Sequence, residues 1–205
     1  MKAPLKLGFL GSGNGSSARA IIGAIAAGAL DAEARLVVSN RREAPLLDWA
    51  AAQGIATRLI PTLSNPDAAD LQLADAMRSH GVELIVMSGY LRRLGPRTLW
   101  RYAGRVLNIH PGPLPEFGGQ GMYGRKVHEA VLAAGRRESA IVIHLVDEEY
   151  DHGPEVARRI IDVAPGDTAE SLEATIKLRE PAFFVETLRR IAAGELNLSR
   201  DHAGP

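Results

Sequence analysis

The sequence predicts an α/β fold, a three-layer sandwich in which helices cover both faces of a mostly parallel, Rossmann-like central sheet. Three observations support this prediction. Short apolar runs alternate with longer segments of helical periodicity, the first run ends in a glycine loop, and single glycines close several helical segments. Such alternation requires crossover connections between parallel strands, which place helices on both sides of the sheet.

The N-terminal elements follow from the apolar runs and their boundaries. Leu5–Leu10 is an apolar run that ends in the glycine loop, so it is predicted as the first strand. Residues 82–87 are almost entirely apolar, which indicates a strand buried on both faces. The other elements predicted for this half are strands at 34–38 and 55–60 and helices at 16–30, 44–53 and 67–80.

The C-terminal elements surround a loop rich in proline and glycine at residues 111–123. The last helix is predicted over 168–193, with Pro181 as a candidate for an interruption. The other elements predicted here are strands at 105–109, 140–146 and 155–163 and helices at 96–102 and 124–134. We expect one domain over residues 1–205, with a nucleotide-binding-like half over about 1–105 and a half over about 106–205 that completes the site.

Composition argues against several classes of function. The 205 residues contain 24 Lys and Arg against 24 Asp and Glu, so a nucleic acid or an anionic membrane is not expected as the main partner. There is no cysteine, which excludes disulfides, thiolate chemistry and Cys-ligated metal. No apolar run approaches about 20 residues, and no signal-like segment precedes the first strand, so we expect a cytoplasmic protein.

The glycine loop Gly11–Ser17 predicts a phosphate site. Glycines let backbone N–H groups approach an anion, and the following helix N-terminus adds partial positive charge. Ser16 or Ser17 is expected to cap the helix and to donate to a phosphate oxygen. The third glycine comes one residue too early for a dinucleotide fingerprint, and no Walker lysine follows. An NADP-dependent reductase, with a 2′-phosphate on Arg41 or Arg42, stays open as the alternative from another class.

A polar pair ends the fifth predicted strand. Period-two alternation places Asn108 and His110 on one face, where an amide donor and a titratable ring stand side by side. Burying both without a ligand would leave several hydrogen-bonding groups unsatisfied, so the pair predicts a site. The later acidic loop, taken alone, is typical of a solvated surface, but Asp151 within it could orient an imidazole. His110, His144 and Asp151 match no metal-binding spacing, so no metal is expected.

Four groups of residues occur in chain order. They are Ser12-Gly13-Asn14-Gly15-Ser16, Gly89-Tyr90-Leu91-Arg92, Asn108-Ile109-His110-Pro111 with Leu114-Pro115, and His144 with Asp151-His152-Gly153-Pro154. Together they resemble the 10-formyltetrahydrofolate-dependent formyltransferases, most closely the members that act on glycinamide ribonucleotide in purine biosynthesis. The resemblance spans about residues 5–195. It implies 10-formyltetrahydrofolate as co-substrate, phosphoribosylglycinamide as acceptor, no metal, and a monomer or homodimer.

The resemblance also implies roles for individual residues. Asn108 would donate a hydrogen bond to the formyl oxygen, and His110 would be the general acid/base. Asp151 would orient His110, with His144 as an auxiliary residue. The remaining implied contacts are Leu91, Arg92, Arg93, Leu94, Asn108 and Glu148 for the folate, Gly13, Asn14, Gly15, Ser16 and Ser17 for the phosphate, and Lys177 and Glu180 for the rest of the acceptor.

Three positions depart from the common pattern of that family. Ser17 stands where the phosphate loop usually ends in Asn, Pro66 lies where an Arg often contacts the folate tail, and Val142 replaces a hydroxyl residue. These departures concern the acceptor rather than the reaction. A formyltransferase for another amine, such as an amino-sugar nucleotide, is therefore the alternative within the class.

Overall fold

A computed structural model describes residues 3–198; residues 1–2 and 199–205, which the predicted domain includes, lie outside this range. Within it, seven strands form one sheet in the order β3-β2-β1-β4-β5-β6-β7. The strands are β1 (Leu5–Leu10), β2 (Ala32–Ser39), β3 (Thr57–Leu59), β4 (Leu84–Met87), β5 (Val106–His110), β6 (Glu138–Leu145) and β7 (Glu155–Asp162). The helices are α1 (Ser16–Ala26), α2 (Pro45–Ala52), α3 (Pro66–Ser79), α4 (Pro96–Arg101), α5 (Arg125–Ala133) and α6 (Ala169–Ala193).

The first five strands run parallel, and the last two reverse direction. β6 pairs antiparallel with β5, and β7 pairs antiparallel with β6. The predicted mostly parallel sheet is therefore confirmed. The reversal matters for the site because β6 runs back alongside β5, which places His144 directly opposite Asn108 in the strand register.

Buried apolar side chains form two clusters, one on each face of the sheet. Alternation along β1 sends Leu7 and Phe9 into one cluster and Leu10 into the other. Helices α1, α2, α5 and α6 pack on the first cluster, whereas α3 supplies buried residues to the second. The predicted three-layer arrangement is confirmed. None of the helices within residues 3–198 is long and apolar enough to cross a membrane.

Helix α6 is continuous through Pro181, which corrects the expectation of an interruption there. Thr168 begins the helix with a capping box, in which it exchanges hydrogen bonds with Ser171. Ile176 and Phe184, on either side of the proline, are both fully buried in the same core cluster. Burial of these two segments outweighs the roughly 3 kcal/mol cost of an interior proline.

Candidate functional site

Three parallel strands bring the glycine loop, residues 88–94 and His110 to one edge of the sheet. The glycine loop follows β1, residues 88–94 follow β4, and His110 is the last residue of β5. Because β4 lies between β1 and β5, the carboxyl ends of all three strands are adjacent. Ligands of doubly wound α/β proteins bind at this kind of edge.

Asp151 is the centre of a cluster of buried and partly buried polar side chains. Its Oδ2 lies 3.4 Å from Nδ1 of His110, and its Oδ1 lies 3.5 Å from Nε2 of His144. The backbone N–H of Gly119 donates to Oδ2 at 3.1 Å. Asn108 Nδ2 lies 3.1 Å from His144 Nε2. The structure thus brings together all four residues that the sequence predicted as the catalytic group.

The His110 ring is held at both of its nitrogens and is only 3% exposed. Nε2 lies 2.7 Å from the backbone carbonyl oxygen of Phe117, so it carries a proton and donates it to that oxygen. The 3.4 Å separation between Nδ1 and Asp151 is longer than an ordinary hydrogen bond, a distance typical of acid–base groups before substrate binds. Sequence reasoning missed Phe117 because a backbone carbonyl acceptor leaves no signal in residue type.

Asp151 adopts a left-handed backbone conformation, with φ of 55°, which few residues other than glycine occupy. Burial by itself would raise the pKa of its carboxyl. Contacts with His110 and His144, the charge of His110 and the hydrogen bond from the Gly119 N–H outweigh burial and hold the pKa of the Asp151 carboxyl below its ordinary value. Uncommon backbone geometry of this kind clusters at active sites, where the direction of a side chain matters more than local stability.

The loop that carries Asp151 is closed at its base and touches the predicted folate segment. Leu145 N–H donates to the carbonyl of Pro154 at 2.8 Å. Gly153 packs so closely on the Leu145 carbonyl that a Cβ there would overlap the backbone. Arg93 donates to the carbonyl oxygen of Glu148, so the two parts of the predicted folate site are in contact.

The four predicted folate residues after β4 differ in exposure. Leu91 is 59% exposed and Arg93 is also exposed, Arg92 is partly buried, and Leu94 is buried in the core. The guanidinium of Arg93 lies 5.6 Å from the centre of the Tyr150 ring, in addition to its bond with the acidic loop. Leu91 therefore presents apolar surface at the site edge, whereas Leu94 anchors the segment beneath it.

The glycine loop turns into α1 at Gly15, whose φ of 62° makes it the left-handed N-cap. Neither serine caps this helix, which corrects the expected cap by Ser16 or Ser17. Ser16 is exposed as the first residue of α1, whereas Ser17 is buried. A Cβ on Gly15 would lie 2.6 Å from Leu46, so the turn needs glycine for both conformation and space. Of the first N–H groups of α1, that of Ala18 is bound by the Ser88 hydroxyl, and those of Ser16 and Ser17 lack intrahelical acceptors and can bind an anion.

Arg19 braces the glycine loop, and sequence reasoning did not single it out. Its Nε donates to the Asn14 carbonyl at 2.8 Å, and its Nη2 donates to the Pro45 carbonyl at 3.1 Å. The guanidinium also stacks 5.1 Å from the centre of the Trp49 ring. The loop is thereby fixed against the start of α2.

The two predicted acceptor residues on α6 have different surroundings. Lys177 Nζ lies 2.6 Å from Glu173 Oε1, and Glu173 also accepts from Arg125 Nε at 2.9 Å. Glu180 is partly buried, and this burial raises the pKa of Glu180 to about 7, against the opposing charges of His110 and Lys177. Lys177 is therefore engaged in an ion pair.

We expect the stability contribution of Glu180 to depend on pH. Its pKa rises from 4.5 to about 7 on folding, so it favours the native state fully below pH 4.5 and loses this contribution as pH rises through 7. Because glutamine stays neutral, Glu180→Gln should raise Tm relative to the parent by about 3 °C more at pH 8 than at pH 5. Thermal unfolding of both proteins at both pH values measures this; an equal Tm difference at the two pH values would contradict it.

Among the residues that the structure describes, no group of three or more His, Cys, Asp or Glu side chains is arranged to hold a metal ion.

Comparison with known proteins places this geometry in a family. Residues 5–188 match the formyl transferase family. The chloroplastic phosphoribosylglycinamide formyltransferase of Arabidopsis thaliana is 34% identical, over 96% of this chain and 68% of its own. The Bacillus subtilis phosphoribosylglycinamide formyltransferase is 32% identical, over 91% of this chain and 94% of its own. The solved structure of the Coxiella burnetii phosphoribosylglycinamide formyltransferase superposes with a TM-score of 0.84 at 36% identity, covering 93% and 88% of the two chains.

Proposed function

This chain belongs to the formyl transferase family, and we propose that it transfers the formyl group of 10-formyltetrahydrofolate to the amine of 5′-phosphoribosylglycinamide in de novo purine biosynthesis. The observation that carries the proposal is the cluster of Asn108, His110 and Asp151, at the same sheet edge as the glycine loop. A cytoplasmic location and a monomer or homodimer remain predictions from the sequence.

The reaction begins when the acceptor amine attacks the formyl carbon. A bond forms between them, and negative charge develops on the formyl oxygen, where a preorganised donor stabilises it. Asn108 supplies that donor through its amide, which the bond with His144 holds in place. His110 takes part in proton transfer, while Asp151 orients its ring. The bond to N10 then breaks, and the proton lost by the amine is gained by N10 of tetrahydrofolate.

Contacts away from the reacting atoms support the assignment of the two binding subsites. The pterin rests on the backbone of residues 91–94, opposite the loop that contains Glu148, and Arg93 joins these two segments. The phosphate binds at the glycine loop, where backbone N–H groups and the exposed Ser16 face an anion. Glu180, partly buried on α6, contacts the remainder of the acceptor. Catalysis beyond the donors is then largely the alignment of two bound substrates.

Acceptor-dependent release of deformylated folate, followed by absorbance, tests the proposal. The assay contains a 10-formyl-folate donor and glycinamide ribonucleotide, with an amino-sugar nucleotide as the comparison acceptor. Turnover that requires glycinamide ribonucleotide supports the proposed acceptor and makes Ser17, Pro66 and Val142 tolerated variation. Turnover only with the amino sugar would keep formyl transfer and replace the acceptor.

We expect Gly15→Val to raise the KM for glycinamide ribonucleotide at least about tenfold, with a smaller effect on the folate KM. Valine cannot adopt the left-handed cap without strain, and its side chain would collide with Leu46. Gly28→Val is the matched control, because Gly28 has φ of 67° near the other end of α1 and no atoms within 4 Å of a Cβ. Steady-state kinetics of both variants measures the effect, and an unchanged acceptor KM in Gly15→Val would count against a phosphate site at this loop.

A further inference from the structure

Ser12 is a buried hydrogen-bonding centre between the ends of three strands, and its side chain has no role in the reaction described above. Its hydroxyl donates to Asn40 Oδ1 at 2.6 Å, just beyond β2, and accepts from the backbone N–H of Leu91 at 3.0 Å, beyond β4. Its own N–H donates to the carbonyl of Gly89 at 3.1 Å. The residue is 3% exposed, and its hydroxyl uses its one proton and accepts a bond as well.

A third bond joins the same two segments on the side of the helix. The Ser88 hydroxyl accepts from the backbone N–H of Ala18, in the first turn of α1, at 3.1 Å in a buried position. The glycine loop with α1 and the segment 88–91 are therefore linked by three hydrogen bonds. The first of these segments is the proposed phosphate subsite, and the second adjoins the proposed pterin subsite.

Residues 88–94 form neither helix nor strand, so their position depends on hydrogen bonds such as these. A segment without the regular backbone hydrogen bonds of a helix or strand is held in place by side chains and neighbouring loops. The Leu91 N–H would otherwise move with the folate segment. Its hydrogen bond to the Ser12 hydroxyl holds it in place. A ligand that orders the glycine loop therefore also orders the start of the folate segment.

We propose that Ser12 is a positioning residue that couples the two substrate subsites, so that each bound substrate raises the affinity for the other. The inference rests on the proposed function for the identity of the two ligands. Coupling of this kind is reciprocal, since the acceptor must change folate affinity by the factor by which folate changes acceptor affinity. Such coupling favours the complex that holds both substrates, in which they are aligned, over the complexes that hold a single substrate.

Titration calorimetry of the full chain tests the coupling. The Kd of glycinamide ribonucleotide is measured alone and with saturating tetrahydrofolate, which has no formyl group to transfer, and the reverse titration is then made. In the parent we expect each ligand to lower the Kd of the other about fivefold or more. In Ser12→Ala we expect each ligand alone to bind within about threefold of the parent, while the coupling factor falls to within about twofold of one.

Ser139→Ala is the matched control because Ser139 is also buried, on β6, and its hydroxyl has no hydrogen-bond partner among the described residues. It should keep the coupling of the parent. If Ser12→Ala does not fold, Asn40→Ala removes the acceptor of the Ser12 hydroxyl and should at least halve the coupling factor.

The outcomes separate the two claims. Binding of both ligands to the parent without coupling, or parental coupling in Ser12→Ala or Asn40→Ala, would overturn the role of Ser12 and leave the proposed function standing. Failure of glycinamide ribonucleotide to bind the parent would overturn the proposed acceptor, and the coupling with it. Faster hydrogen exchange at the Leu91 amide in Ser12→Ala, by about tenfold or more, is expected without any ligand and checks the bond itself.

Discussion

Replacing His110 with alanine should lower kcat by at least about 100-fold while both KM values stay within about threefold of the parent. The ring occupies a buried position between the Asp151 carboxylate and the Phe117 carbonyl, and alanine reaches neither. The variant therefore loses the group that takes part in proton transfer. Substrate alignment and the Asn108 donor remain, so some turnover should persist above the uncatalysed rate.

Steady-state kinetics with both substrates varied measures this effect, and Tm confirms that the variant is folded. His128→Gln is the matched control, since His128 is equally buried, on α5, and its Nδ1 has no hydrogen-bond partner among the described residues. It should keep kcat within about threefold of the parent. Near-full activity of His110→Ala would remove His110 from the proposed mechanism.

Asp151→Asn should lower kcat by about 100-fold or more with little change in the shape of the site. Asparagine has nearly the same size as aspartate, but it carries no charge and offers one acceptor oxygen in place of two. It therefore cannot face His110 and also accept from the Gly119 N–H as the carboxylate does. The His110 ring would lose the group that orients it, and proton transfer depends on that orientation.

The same substitution should also change stability in a pH-dependent way. The pKa of the Asp151 carboxyl is depressed by folding, so its stabilising contribution is present above its ordinary value of 3.8 and is lost as pH falls through the lower folded value. We expect Asp151→Asn to lower Tm by about 5 °C at pH 7 and by less at pH 3. Asp147→Asn is the control in the same loop, because Asp147 pairs with the exposed His152. It should keep kcat within about threefold, and equal losses of activity in both variants would contradict a special role for Asp151.

Much of the fold could be predicted from local patterns, and the limits were set by tertiary contacts. β1 has the predicted bounds, Leu5–Leu10, because an apolar run and a glycine loop mark both of its ends. The antiparallel direction of β6 was not predicted, since strand direction depends on the path of the chain through α5 rather than on local composition. Pro181 was misjudged because burial on both sides of it was not visible in the local sequence.

In the site, too, some features could be predicted from the local sequence and others depend on tertiary contacts. Asn108 and His110 could be paired from strand alternation alone, whereas Asp151 was only one candidate in an acidic loop until the family resemblance assigned it to His110. The Phe117 carbonyl and the brace by Arg19 were missed because their hydrogen bonds involve backbone oxygens, which any residue supplies. The roles assigned to the site residues remain predictions that the substitutions above would test.

Because the loop between β6 and β7 is closed at its base, evolution or design could change the choice of folate independently of the chemical step. The Leu145–Pro154 bond and the tight packing at Gly153 fix where this loop leaves and rejoins the sheet, and Asp151 lies beside that fixed base. The tip, residues 148–150, is exposed and irregular, so a longer or different tip adds little closure entropy. Tips exchanged between related enzymes should therefore alter which folates are accepted while the chemical step is preserved.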